Sequence, residues 1–426
     1  MTSRYRVEYA LKSHRRDSFI EWIKGLTAVP FVLHAGSVNY FRTGDDSRSS
    51  AEARRKYAEI FKDIEALIMH HIEVHNGESR LRQMVPSVGH FFTKLPLERA
   101  FYVQDEKRAI SKRRLVAPSF NDIRMILNTA QTMALSNNDE SRVRLVTFDG
   151  DVTLYDDGSS LSPGDPIVER LVGLIKRGIY VGIVTAAGYP DPKGTMYVTR
   201  LRGLFEHLVN DKDITDEMRS RLLIVGGECN YMFRLNGETR QLDFIEREKW
   251  ATSDMLAWRD EDCDEVMDLA ETLFRQMIAR LGLGKIAQIL RKHRSVGIIS
   301  RANESIPRED LEEVVLNINH MLQQAEVTKR VYFCAFNGGS DVWVDIGDKR
   351  YGVLSLQNYL GNITNAQTLH VGDQFASIGA NDYKARLAAS TVWVANPVET
   401  RGILDEFLGY IDEQRGEAQF TISRGQ

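Results

Sequence analysis

The stretch TFDGDVTLYDDG, residues 147–158, sets Asp149 and Asp151 directly after the apolar-rich run VRLVTF and adds Asp156 and Asp157 soon after. Like charges crowded where a strand leaves the core cost free energy unless a cation or a proton compensates them. A strand-end Asp-x-Asp followed by Thr153 is the pattern that metal chemistry requires, because a hard divalent cation takes oxygen ligands. Two more strand-like runs end in polar groups, GIVT at Thr185 and LHVGD at Asp373, and Lys349 follows the strand-like DVWVDIGD. In a parallel sheet, ligands bind at the carboxyl ends of the strands. Neighbouring strand ends would therefore bring Asp149, Thr185, Lys349 and Asp373 into one cleft.

The texture around these residues supports such a sheet. VRLVTFD, IVERLVGLIKRG and IYVGIVTAAG read as strand, helix and strand, with Gly178 closing the helix. The pattern returns in TLHVGDQ, a helical stretch at 382–389, and STVWVAN. Between them RLLIVGGECNYMFRLN and KRVYFCAFNGGSDVWVDIG read as hairpins, the second turning at Asn337-Gly338-Gly339, with long helices expected over 262–292 and 308–324. Ahead of the polar break SNNDES, residues 51–71 and 118–135 carry helical apolar spacing, the latter opened by Pro118, Ser119 and Asn121. The expected division is a helical region over 1–140, a parallel-sheet core over 141–188 and 340–426, and an α+β insert over 189–339.

At 426 residues, 43% hydrophobic and 27% charged, the chain has the composition of a multi-domain globular protein. Its formal charge of −4 gives no global reason to expect nucleic acid or an anionic membrane as partner. Cys229, Cys263 and Cys334 are odd in number and widely spaced, which argues against a disulfide framework and for a reducing, cytoplasmic setting. The basic first residues include Glu8 and Asp17 and no apolar core, so neither a secretory signal nor a spanning helix is expected.

The four strand-end elements, in order, resemble the motifs of the haloacid dehalogenase superfamily of phosphohydrolases and phosphotransferases: Asp149-Gly-Asp151-Val-Thr153-Leu, Thr185 of IVTAAG, Lys349, and GDQ…GAND. The resemblance implies that Asp149 attacks phosphorus and binds Mg²⁺, and that Asp151 protonates the leaving oxygen and later activates water. It also implies metal ligation by the Asp151 backbone carbonyl and Asp373, a phosphoryl contact from Thr185, and charge compensation by Lys349. One departure is that Asp373 and Asp382 lie nine apart, which leaves Asp382 as a supporting or conditional ligand. The insert stands where that superfamily carries its large C2 cap. More closely, LHAGS, TFDGDVTLYDDG, FNGGSDVWVDIGDKRYGVLSLQ and HVGDQF…GANDYKAR resemble the fungal and apicomplexan IMP-specific 5′-nucleotidases. That resemblance implies hydrolysis of IMP to inosine and phosphate with Mg²⁺, ATP activation through the N-terminal region, and a homo-oligomer, expected as a tetramer. Asp157 and Asp341 become candidate nucleoside contacts. The rival readings are a phosphotransferase or sugar phosphomutase, and a nucleotide sensor without turnover.

Other features carry plainer expectations. His71 and His75, one turn apart, read as solvated helix-face histidines, because no third zinc ligand lies nearby. Gly282-Leu-Gly284-Lys285 lacks the spacing of a phosphate loop and reads as a helix end. The run Lys112-Arg113-Arg114 is a solvated loop or, through Arg113 and Arg114, an effector phosphate site.

Overall fold

In a computed structural model, which describes residues 17–35, 47–113, 115–137, 139–361, 363–375 and 379–424, the VRLVTF run forms the strand expected of it. This strand, β1 (Leu145–Phe148), is buried along its whole length. Strands β2 (Tyr180–Val184), β3 (Leu222–Gly226), β4 (Tyr231–Leu235), β5 (Leu242–Ile245), β10 (Thr368–Gly372) and β11 (Ser390–Trp393) join it in one sheet of order β11-β10-β1-β2-β3-β4-β5. Strand β1 pairs in parallel with both β10 and β2. Its residues read as a near-continuous apolar run because both faces are covered. Val146 and Phe148 pack with the helices Pro166–Lys176 and Pro397–Arg424, whereas Leu145 packs with the helix Lys349–Tyr359 on the other face.

A second, antiparallel sheet of order β6-β7-β9-β8 contains β6 (Ala287–Arg291), β7 (Ser295–Ser300), β8 (Phe333–Asn337) and β9 (Val342–Ile346). Val266, Phe274, Val314 and Ile318 from helices Asp260–Arg280 and Arg308–Gln323 share its core. Sheet membership moves the expected 189–339 boundaries. Strand β3 pairs in parallel with β2, so residues 222–245 extend the large sheet. At the other end, β9 is the second arm of a hairpin with β8, and cutting at 339 would split that hairpin at its turn. The helix expected over 262–292 is also shorter: it stops at Arg280, Gly282 takes φ +71°, and 287–291 is strand. A left-handed residue cannot continue an α-helix, and glycine reaches that conformation at no steric cost.

Ahead of the large sheet, the helices Ser18–Ala35, Ser47–Glu73, Leu97–Arg108 and Phe120–Ser136 bury Ile23, Phe61, Ile64, Phe101 and Ile126 against one another. The last begins at a capping box in which Ser119 and Asp122 satisfy each other's backbone amides. Arg124 pairs with Glu399 of the C-terminal helix at 2.7 Å and donates to the Trp393 carbonyl of β11 at 2.5 Å, while Asn128 donates to that carbonyl at 2.7 Å and accepts from the Trp393 amide at 3.0 Å. His71 is not solvated. It is fully buried, with Nδ1 2.6 Å from Ser79 Oγ and Nε2 3.2 Å from the Gly89 carbonyl, and so serves packing. The three cysteines are free and buried, and no helix among the described residues is long and apolar enough to cross a membrane.

Candidate active site

Asp149 leaves the carboxyl end of β1, its amide donating to Val371 O at 2.9 Å. Its Oδ1 accepts from the Gly150 amide at 2.7 Å and pairs with Lys349 Nζ at 2.8 Å. Lys349 is the first residue of a helix capped by Asp348, whose side chain accepts from the Tyr351 amide. The helix start therefore fixes where the ammonium points. Lys349 is fully buried, behind Asp149 and not in the cleft wall, and its second partner is Asp382 Oδ1 at 2.6 Å. Asp382 also accepts from His370 Nε2 at 2.9 Å and from the Gln374 amide at 2.9 Å, and His370 Nδ1 lies 2.9 Å from Thr147 Oγ1. A chain of buried polar contacts thus runs from Thr147 to the Asp149 carboxylate.

Two glycines make this density feasible. A Cβ on Gly150 would lie 2.5 Å from the Tyr155 hydroxyl, and one on Gly372 would lie 2.4 Å from the Asp382 carboxyl carbon.

Carboxylate oxygens of Asp149, Asp373 and Asp382 fall within 4.8 Å of one another. Burial, offset in part by Lys349, raises the Asp149 carboxyl to about 7. Burial together with Asp149 and Asp382 raises Asp373 to about 9. Burial would raise Asp382 too, but Lys349 and His370 outweigh it and hold the group at about 2. Asp149 and Asp373 thus carry the strain of the cluster. An oxygen-rich set that resists ionisation unaided is chemistry a hard divalent cation relieves, so these residues fit the metal that the family fold implies. Asp382 has both oxygens already accepting hydrogen bonds, Oδ1 from Lys349 and His370 and Oδ2 from the Gln374 amide.

The cleft above these acids, about 370 Å³, is lined by Asp149, Asp151, Asp157, Thr185 and Asp341. The structure thus gathers every expected catalytic and nucleoside-contact residue at or just behind one surface. Asp151 Oδ1 accepts from the Gly158 amide at 3.0 Å and lies 3.8 Å from Arg200 Nη1. Burial lifts its carboxyl above the ordinary range, with Gly158 and Arg200 pulling it back. Thr185 Oγ1 accepts from the Ala187 amide at 3.1 Å, which leaves its hydrogen free to donate.

Several cleft residues had no motif to announce them. Arg200 comes from a helix after β2, Ser295, Trp343 and Asp345 from strands of the second sheet, and Lys292 from the turn between β6 and β7. Lys292 Nζ sits 4.5 Å above the Trp343 ring. Asp345 Oδ1 accepts from Ser295 Oγ at 2.5 Å, but its buried Oδ2 has no partner. Period-two alternation in VWVDI marks the face of Asp345, yet nothing in it says that the face looks onto a ligand. Arg113, an expected effector contact, is instead bound to Asp122 at 2.6 Å, and Arg114 lies outside the described residues.

Comparison with known proteins fits this geometry. The family model described as IMP-specific 5′-nucleotidase matches residues 1–404. IMP-specific 5′-nucleotidase 1 of Yarrowia lipolytica is 54% identical over 419 residues, covering 97% of this chain and 99% of its own length. Its Neurospora crassa counterpart is 49% identical over 427 residues, covering 95% and 98%. An IMP-bound mutant of Plasmodium falciparum IMP-nucleotidase superposes with a TM-score of 0.79 at 32% identity, over 92% of this chain and 96% of that one. An ATP-bound structure of the Plasmodium falciparum enzyme gives 0.76 at 32% identity, over 95% and 87%. The chain belongs to the IMP-specific 5′-nucleotidase family, phosphoric monoester hydrolases on a haloacid-dehalogenase-type fold.

Proposed function

We propose that the protein hydrolyses IMP to inosine and phosphate through a phosphorylated Asp149. The observation that carries this reading is the setting of Asp149: it faces the cleft with Oδ1 pinned by Gly150 and Lys349, while Oδ2 carries no hydrogen bond among the described residues. Oδ2 attacks phosphorus, the P–O5′ bond breaks, and Asp151 gives its proton to O5′ of the departing inosine. Asp151, now ionised, takes a proton from water as that water attacks phosphorus, which frees phosphate and restores Asp149. The burial that raises the Asp151 carboxyl suits it to hold the first proton. Thr185 donates to a phosphoryl oxygen, and Lys349 favours the ionised form of Asp149 against its burial. Asp149, Asp373 and the Asp151 carbonyl would hold Mg²⁺, which supplies the positive charge that a dianionic phosphate needs beside so many carboxylates.

The second sheet is the cap, and its wall contacts the nucleoside through Asp341, with Asp157 opposite. Phosphate release measured across nucleoside monophosphates, sugar phosphates and p-nitrophenyl phosphate, with Mg²⁺ and with EDTA, tests the reading. Strong preference for IMP, abolished by EDTA, is expected. Turnover only with an added acceptor alcohol would replace it with phosphotransfer.

ATP is the proposed effector. A cavity of about 200 Å³ between the N-terminal helices and the sheet offers Phe19, His90 and Phe91 as stacking surfaces, beside Arg124 and Arg386, which are already paired with Glu399 and Asp17. Its aromatic lining suits a nucleotide base, whereas Arg113 is bound to Asp122. Removing residues 1–135 should abolish the ATP response, and an unchanged response would refute that placement. A cytoplasmic homotetramer completes the proposal, supported by the reduced cysteines and by exposed Val29, Leu115 and Val116 on the N-terminal unit. Light scattering of the intact chain tests the tetramer.

A further inference from the structure

Parallel strands present the catalytic cleft at their carboxyl ends. At their opposite ends, where β1 and β2 begin, lies a separate cavity of about 160 Å³. Four guanidinium groups line it: Arg142 and Arg144 just before β1, Arg177 at the end of the helix before β2, and Arg415 from the C-terminal helix. Acid is scarce there. Asp412 takes Arg177, accepting from Nε at 2.7 Å and pairing with Nη2. Arg177 Nη1 is turned to the Gly173 carbonyl at 2.9 Å, and Arg415 Nη2 to the Arg177 carbonyl at 2.6 Å. Among the described residues, no carboxylate pairs with Arg142, Arg144 or Arg415.

An ordinary solvated surface disperses like charges, whereas here they converge on a concavity. Burial lowers the Arg415 guanidinium below its usual range, and Arg142 and Arg177 lower it further, with Asp412 pulling it back. Planar guanidinium forks match phosphate oxygens in pairs, so an oxyanion is the ligand that relieves this crowding. The remaining wall is aliphatic, with Leu135, Val143, Ile179 and Ile411 and no aromatic ring on which a base would stack. The cavity therefore suits a compact anion rather than a nucleotide.

We propose that this cavity is a binding site for a compact phosphate anion such as orthophosphate or pyrophosphate, distinct from both the catalytic cleft and the aromatic cavity. An anion held there joins the end of the last N-terminal helix, the start of β1 and the C-terminal helix, and β1 leads directly to Asp149.

The test is calorimetric titration of the intact, metal-free chain with pyrophosphate at fixed ionic strength. Among the described residues Arg142 and Arg144 make no side-chain hydrogen bond or ion pair, so Arg142→Ala/Arg144→Ala should fold and retain wild-type turnover of nucleotide. The double variant should bind pyrophosphate at least about tenfold more weakly, the loss of two charge-assisted contacts. Thr185→Val, altered only in the catalytic cleft, should bind it as the wild type does. Binding lost in Thr185→Val but intact in the arginine variant would place the anion in the catalytic cleft and overturn the proposal, as would no binding at all. Displacement by orthophosphate would identify a single phosphate as sufficient. Equal displacement by chloride would overturn the site as a non-specific charge patch, and displacement by ATP but not orthophosphate would overturn its compactness.

Discussion

The floor of the catalytic cleft and its cap wall are built on opposite plans. On the floor, Lys349, Asp149, Asp382 and His370 satisfy one another at 2.6–2.9 Å and are almost entirely withdrawn from water. In the wall, Asp345 has one oxygen without a partner, and Lys292 rests on the Trp343 ring with no ion pair among the described residues. Preorganised groups stabilise charge as it develops without having to reorganise. Loosely committed ones retain bonding capacity for a ligand. The difference is the one that the proposed roles require, chemistry on the floor and recognition in the wall, and it orders the effects that substitutions should have.

The largest effect belongs to the floor. Asp149→Asn should lower turnover on the order of 10⁴-fold or more, since removing a nucleophile leaves only positioning and electrostatics. Phosphate release measures it, with circular dichroism to verify folding. Activity above about 1% of wild type would remove Asp149 from the nucleophile role and collapse the comparison. Asp151→Asn should cost about 10²–10⁴-fold, the usual range for general acid–base catalysis. Rapid quench should show slower phosphorylation and slower dephosphorylation together. Slowing of one step alone would limit Asp151 to half its assignment.

Lys349→Met sharpens the contrast further, because the floor should couple catalysis to stability. It leaves Asp149 and Asp382 buried without their cation, and breaking a buried pair costs about 3–5 kcal/mol. A large drop in the urea midpoint should accompany loss of activity; an unchanged midpoint would mean that the floor is not held by this lysine. Trp343→Ala in the wall should behave differently. It should raise KM for the nucleotide about tenfold, since a stacked base contributes about 1–3 kcal/mol. Turnover of p-nitrophenyl phosphate should be nearly unaffected. Equal losses on both substrates would erase the distinction between wall and floor.

The floor was far more legible in the sequence than the wall. Asp149, Thr185 and Asp373 each end an apolar run, and burial on both faces makes such runs visible without any partner. Lys349 was legible as a basic group but not as a buried one, because its burial depends on Asp382, 33 positions away. Strands β3, β4 and β5 carry the same hairpin texture as the cap, and only pairing with β2 assigns them to the large sheet. Lys292 lies in a turn between two cap strands and Ser295 follows it, where charged and polar residues are ordinary. His71 illustrates the limit from the other side: a polar residue at helical spacing says nothing of whether Ser79 will come to meet it.

The smallest effect tests whether Asp345 in the wall lacks the compensating cations that Asp382 has on the floor. Burial raises the Asp345 carboxyl to about 7, and Ser295 and Lys292 only partly offset it. The unfolded carboxyl titrates near 3.9. Between those values the folded chain holds a proton that the unfolded chain has released, so this group makes stability fall as pH rises from about 4 to about 7. Asp345→Asn keeps the shape and removes the titration. Compared with wild type without ligand, it should therefore be more stable at pH 8, by about 1–2 kcal/mol after relaxation of the site, with the advantage shrinking toward pH 5. Asp382, held at about 2 by Lys349 and His370 against its burial, predicts the opposite sign, its contribution being lost only as pH falls below about 4. Urea midpoints of wild type and Asp345→Asn across pH 5–8 decide the matter. A variant less stable than wild type at pH 8 would mean that Asp345 already has a compensating cation, and that the wall is as closed a network as the floor.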